Sequence, residues 1–207
     1  MRIAILTFLF LTSGFIADAS ADAPIRLTLT TEHSPPASML GNDGVTGRET
    51  DKIGEMMTRT GTDYKIDLLP WKRAYMMAQH QPPTCVYSTS RTPEREPLFK
   101  WIGPTDEAEW QLWGRVDHAF PLKTLEDTRS LRIGTYIGDA RDEYLRSRCF
   151  KVEAVANDLA NPQKVLLNRI DLWAVGIRNN SPGPGQFEWT DKVVPLLAFN
   201  RVKVYLA

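Results

Sequence analysis

The sequence predicts an α/β protein of two lobes, and three observations carry that expectation. Short stretches with strand alternation take turns with stretches of helical periodicity. This pattern runs twice, with a break near residues 115 to 123. The 207-residue chain is long enough for one large domain or two small lobes after an N-terminal leader.

The elements follow in order. Arg2 precedes an apolar run from Ile3 to Ile16, and Ala19-Ser20-Ala21 and Ala21-Asp22-Ala23 both fit the A-x-A cleavage pattern. The run is too short for a membrane span and predicts a secretory signal peptide over residues 1–23, hence an exported protein. Ile25 to Thr31 alternates as a strand, and Ser34-Pro35-Pro36 stops it. Thr46 and Glu49 have capping-box spacing, and Ile53, Met56 and Met57 then share a helical face that Gly61 closes. Tyr64 to Leu69 is a second strand, Pro70 opens a helix over Trp71 to Gln79, and Pro82-Pro83 ends it before a third strand, Cys85 to Ser88. Trp101-Ile102 and Trp110 to Gly114 read as two strands, the second a crossing segment.

The pattern then restarts. Leu131 to Thr135 is a strand, Ala140 to Arg148 a helix and Lys151 to Val155 a strand. Asn161-Pro162 starts a helix running to about Asn168, with Asn161 as N-cap. Leu172 to Val175 is a buried strand, and Ser181 to Gly185 is an irregular Pro/Gly loop. Val193 to Leu197 and Val202 to Leu206 are two further strands, and an end inside an apolar strand at Ala207 suggests a truncated chain. Two such lobes predict a cleft between them, a usual place for a ligand.

Composition narrows the function. Twenty-five basic and twenty-five acidic residues give zero formal charge, which argues against nucleic acid as a partner. His33, His80 and His118 lack metal-ligand spacing, and there is no G-x-S-x-G sequence or phosphate loop. No metal or cofactor is therefore expected. Cys85 and Cys149 either pair in an oxidising compartment or serve as small buried hydrophobes.

The densest polar stretch is "YSTSRTPEREPLFKWIGP", residues 87 to 104. It is either a solvated loop or a holder of something negative. A guanidinium offers paired donors in a rigid fork that matches a carboxylate, with hydroxyls to satisfy the remaining lone pairs. The alternative is an ion pair of Arg95 with Glu94, Glu96 or another acid.

"RTPEREPLFKWIGP", preceded by "LPWKRAY" and followed by "RIGTYIGDARDEYL" and "NRIDLWAVG", resembles the family 3 periplasmic solute-binding proteins, the amino-acid-binding type that serve ABC importers. The resemblance runs from about Ile25 to Ala207 and is most specific from Ser88 to Pro104. It implies a type II two-lobed fold: residues 24–114 as lobe 1, 115–193 as lobe 2, and 194–207 as strands returning toward lobe 1, with the family's C-terminal helices missing. It implies that Arg95 grips a ligand carboxylate, with Ser88 and Ser90 beside it and Thr92 shaping the turn, and that Arg91 faces solvent. Trp71 lies where such proteins place an apolar or aromatic wall, or is a core tryptophan at a helix start; Arg73 adds a positive group if it faces the cleft and is otherwise surface, and Glu32 could take a positive ligand group or simply face water. Gly134-Thr135-Tyr136, before the helix starting near Asp139, would offer backbone N–H groups to an anion, so that Thr135 and Tyr136 join the site. One departure stands out: Gly176 occupies the position where amino-acid binders of the family carry an Asp for the α-ammonium.

The expected protein is a monomeric periplasmic binding protein for a small polar, carboxylate-bearing solute, delivering it to an ABC permease and without catalysis of its own. An enzyme on the same fold, for which Glu32 and Asp139 are the available acids, and an accessory or sensor module are the alternatives.

Overall fold

The computed structural model of the protein describes residues 26–118, 120–178 and 188–207. The expected signal peptide and the Pro/Gly loop from Ser181 to Gly185 lie outside the described residues. The first lobe begins with β1 (Leu27–Thr31), a small hairpin of β2 (Met39–Gly41) and β3 (Gly44–Thr46), and helix α1 (Arg48–Thr60). Strand β4 (Tyr64–Leu68), helix α2 (Trp71–His80) and strand β5 (Thr84–Val86) follow. The three longer-range strands form a parallel sheet in the order β4-β1-β5. β1 is covered on both faces, one apolar and one a threonine face whose hydroxyl is satisfied inside the fold. Leu29 packs with Ile53 and Met57 of α1, while Thr30 on the other face donates its hydroxyl to the Ala74 carbonyl of α2 at 3.0 Å. At the β5 edge, Val86 and Ala207 exchange both backbone hydrogen bonds, so the end of the chain extends this sheet.

After the two-residue β6 (Thr89–Ser90) comes β7 (Ile102–Arg115), then β8 (Arg132–Tyr136), helix α3 (Ala140–Ser147), β9 (Lys151–Val155), helix α4 (Asn161–Leu166), β10 (Leu172–Arg178) and β11 (Val193–Leu206). They make a six-stranded sheet in the order β6-β11-β7-β10-β8-β9. Alternation along β10 sorts the second lobe's core. Leu172 and Ala174 join Leu112, Ile133 and Leu145 on the α3 side, and Trp173 and Val175 join Trp113, Val165 and Val193 on the α4 side.

Four expected strands are two. Trp101-Ile102 and Trp110 to Gly114 become part of, or border, one 14-residue β7, and the two C-terminal runs become one 14-residue β11. The pair is antiparallel from Val193 opposite Arg115 to Leu206 opposite Ile102. Polar residues at Thr105 to Glu107 and at Asn200 and Arg201 interrupt the apolar pattern, and irregularities at Pro195/Leu197, Ala198/Asn200 and Val204/Leu206 shift the alternation. Passage between the lobes thus happens within β7 and β11 rather than at their ends.

Two caps also differ. Asn161 is buried inside α4 rather than at its N-cap, and its amide donates to the Thr135 carbonyl at 3.0 Å. The Thr46–Glu49 capping box is not made: Gly47 is the N-cap of α1, without a side-chain cap. The first N–H groups of α1 are satisfied by a neighbouring loop instead, Arg48 donating to Pro36 at 3.1 Å and Glu49 to Ala37 at 3.0 Å. Glu49 turns inward, fully buried, and its carboxylate accepts from Lys52 Nζ and Thr105 Oγ1, each at 2.8 Å. Cys85 and Cys149 are both free thiols, the second exposed.

Gly47 has φ 125° and ψ 164°, and a Cβ there would lie 2.6 Å from the Ala37 carbonyl oxygen. Gly47→Ala is expected to destabilise the fold by about 2 kcal/mol or more, since that backbone region is nearly glycine-only. Chemical denaturation of the two proteins measures it; equal midpoints would show that the loop yields without strain.

Candidate ligand-binding cleft

The turn after β5 sets up the site. Ser88 takes a left-handed backbone, φ 64°, which reverses the chain into β6, and β6 pairs with Val204 and Tyr205 of β11. Arg95 follows in a turn closed by its N–H to the Thr92 carbonyl at 3.1 Å. Its side chain is 1% exposed, with the guanidinium 4.7 Å from the Tyr75 ring centre and 5.9 Å from that of Trp71. Its fork faces the second lobe. Nε and Nη2 donate to the two carboxylate oxygens of Glu143 on α3, both at 2.9 Å, and Nη2 also donates to the Gly138 carbonyl at 2.9 Å. Burial opposes the charge, but the Glu143 carboxylate more than offsets it and raises the Arg95 pKa. Of the two readings open at sequence level, an ion pair is the one formed here, with Glu143 rather than with a neighbour in the loop. Arg91 pairs with Glu96 on the half-exposed shoulder.

Beyond a cavity of about 650 Å³ on the outer side of the Arg91–Glu96 turn, two cavities lie around Trp71 where the lobes meet. One of about 70 Å³ is lined by Ser88, Ser90, Arg95, Asp139, Arg141 and Arg178, among others. The other, about 450 Å³, is lined by Glu32, Trp71, Tyr136, Arg141, Asp158 and Gly176, among others. Trp71 forms part of both walls, and its indole N–H donates to the Gly138 carbonyl at 2.6 Å. Ser88 lines the smaller cavity, and its Oγ is buried with no hydrogen-bond partner.

Three expected residues fare differently. Arg73 is exposed on the outer side of α2 and lines neither cavity. Thr135 is buried away from both, its hydroxyl donating to Asp142 at 2.7 Å. Three N–H groups of the expected anion cradle are already engaged: Ile137 N–H goes to Val155, Asp139 N–H to Tyr136 and Arg141 N–H to the Asp139 side chain. What the turn presents to Arg95 is a carbonyl, an acceptor. Tyr136 does reach the cleft, through its side chain, and its hydroxyl donates to Glu32 Oε1 at 2.7 Å across the lobes.

Glu143, Arg141, Asp158 and Arg178 were not singled out from the sequence. Arg141 grips Asp139 (Nε–Oδ1 2.7 Å, Nη2–Oδ2 3.1 Å), donates to the Ala174 carbonyl at 3.0 Å and lies 3.7 Å from Asp158. Burial pushes Asp139 up, but Arg141 prevails and lowers its pKa. At Gly176 a Cβ would stand 3.5 Å from Arg141 Nη1. The position expected to hold an acid is thus open beside a guanidinium. The signal for Arg141 and Glu143 was present in "DARDEYL", where helix periodicity alone does not say which polar residues face a partner lobe. Asp158 is brought in only by the tertiary fold. Among the described residues, no cluster of His, Cys, Asp and Glu is placed to hold a metal ion.

Glu32 is half-buried as a residue, but burial of its carboxyl pushes its pKa up to about 7, against the pull of the Tyr136 hydrogen bond and with Asp139 and Asp158 adding to the rise. A folded-state pKa above the unfolded value of 4.5 means that the native state holds the proton more tightly. The stability Glu32 contributes is full below about pH 4.5 and declines as pH rises through about 7. Glu32→Gln is expected to remove a pH-dependent loss on the order of 3 kcal/mol between those limits. Denaturant melts from pH 4.5 to 8 check it; parallel profiles for both proteins would refute the assignment.

No family model matches the chain, and no curated protein matches it. Solved structures do. A histidine kinase sensor domain with similarity to periplasmic binding proteins superposes with a TM-score of 0.76 at 15% identity, over 87% of this chain and 80% of that one. Arginine-binding protein ArgBP from T. maritima, in its holo form, gives 0.73 at 17% identity over 87% and 81%. The GluR0 ligand-binding core from Nostoc punctiforme, in complex with (L)-glutamate, gives 0.70 at 18% over 87% and 82%. The chain has the two-lobed α/β fold of the periplasmic binding proteins.

Proposed function

We propose that this protein is a binding protein that captures a small polar, carboxylate-bearing solute in the cleft between its lobes. The observation that carries the reading is the Arg95 fork. It is nearly fully buried, faces the opposite lobe and is geometrically matched to a carboxylate, as its bidentate pairing with Glu143 displays. Ser88 Oγ, Ser90 and the Trp71 ring stand beside it. A ligand carboxylate entering the fork would take the place of Glu143. The similar structures that bind arginine and glutamate support a ligand in this cleft.

With the signal-like N-terminus, the reading extends to an exported, periplasmic, monomeric protein that hands its ligand to an ABC permease and catalyses nothing. A sensor module is a second reading, favoured by the similarity to a histidine kinase sensor domain. Association with a permease separates it from the first reading; association with a signalling partner favours the second.

Calorimetry on the purified protein with a panel of amino acids and organic acids is expected to find saturable, one-to-one binding. Arg95→Ala, checked for folding by circular dichroism, is expected to weaken it roughly 100-fold or more, because the truncation removes a desolvated charge partner. Unchanged affinity in that variant would sink the carboxylate role. Turnover of any panel compound would establish an enzyme.

A further inference from the structure

We propose that Glu143 is the specificity determinant of the cleft: a carboxylate tethered to the second lobe that fills the Arg95 fork until a ligand's carboxylate displaces it. This rests on reading Arg95 as the group that receives the ligand's carboxylate. The two ends of the pair are unequally placed. The Arg95 side chain is 1% exposed and that of Glu143 is 38% exposed. Glu143 can rotate into water without stranding a charge. Arg95 cannot, and an uncompensated guanidinium at that depth is strongly unfavourable. Departure of Glu143 is therefore coupled to arrival of another anion.

Two other acids that line the cleft are already engaged. Asp139 is held by the Arg141 fork, and Glu32 accepts from Tyr136. Ser88 Oγ, buried and without a partner, is a donor ready for an oxygen entering beside Arg95. Both ends of the Arg95–Glu143 pair are on different lobes, so the exchange also exchanges one clasp between lobes for another. A tethered group competes at an effective concentration of about millimolar or above. Simple carboxylates are thus shut out, and only ligands with further contacts in the cleft are admitted.

Thermal unfolding of the full chain in a titration of formate or acetate tests this without knowledge of the natural ligand. The wild type is expected to show no saturable response. Glu143→Ala is expected to melt at a lower temperature and to recover about 2–4 °C or more as formate saturates the vacated fork. The double variant Arg95→Gln/Glu143→Ala is expected not to recover. Should Glu143→Ala fail to fold, Glu143→Gln keeps the side chain's shape and removes its charge, and the same saturable formate response is expected. The idea is overturned if neither variant responds more than the wild type, or if the double variant responds equally. Formate uptake by Glu143→Ala alongside a wild type that binds nothing in the ligand panel would reject the proposed function and leave this assignment standing. Tight ligand binding with no formate response in either Glu143 variant would do the reverse.

Discussion

Everything in the cleft is referenced to one backbone ladder, the antiparallel pairing of Ile102–Arg115 with Val193–Leu206. Backbone donors and acceptors must be satisfied wherever water is excluded, and these two 14-residue strands pair with each other along nearly their whole length, with β10 and β6 taking groups on their outer edges. Each lobe hangs its site residues on this ladder by short pairings. Thr89 and Ser90 join at Tyr205 and Val204, which sets the turn that leads to Arg95. Gly176 joins opposite Trp110, which sets the wall beside Arg141. The first lobe's parallel sheet is tied in by Val86 and Ala207. Displacing one strand by a single residue would invert the facing of its side chains, so the cleft's composition is a consequence of this register.

Much of that architecture was legible from sequence, and the failures are instructive. The buried strands and both amphipathic helices of the first lobe carry their period in plain view, because burial on defined faces demands it. Lys151–Val155 has the predicted bounds. The long strands were missed because Pro104 to Glu107 and Ala198 to Arg201 carry no apolar alternation, and Thr105 and Asp106 are held by polar partners from other elements, Glu49 and Arg48. The capping signals at Thr46–Glu49 and Asn161 misled for a common reason. Both residues have the local chemistry of a cap, but a neighbouring segment offered the backbone or the side chain a buried partner.

The cleft divides the same way. Arg95, Ser88, Ser90, Trp71, Tyr136 and Glu32 line its cavities. Local sequence could suggest the chemistry of a fork, but not who would fill it. Glu143 lies 48 residues from Arg95 and Tyr136 lies 104 from Glu32. Nothing in a single sequence encodes such a pairing except the complementarity itself.

The two buried guanidiniums show why position relative to the ladder matters more than charge. Arg141 and Asp139 are two residues apart on one lobe, satisfied by each other and by the Ala174 carbonyl of the same lobe. Their pairing is indifferent to how the lobes sit, and it functions as internal scaffolding. The Arg95 guanidinium takes its hydrogen-bond acceptors from the opposite lobe, Glu143 and the Gly138 carbonyl, and Trp71 shares the second of these. Separating the lobes would leave Arg95 to water, while the Arg141 pair would stay intact. Desolvation therefore weighs on the two differently: it locks Arg141 into the fold, and it makes the state of Arg95 depend on closure. A group whose charge is compensated only in the closed arrangement is one through which an entering anion can shift the equilibrium between open and closed.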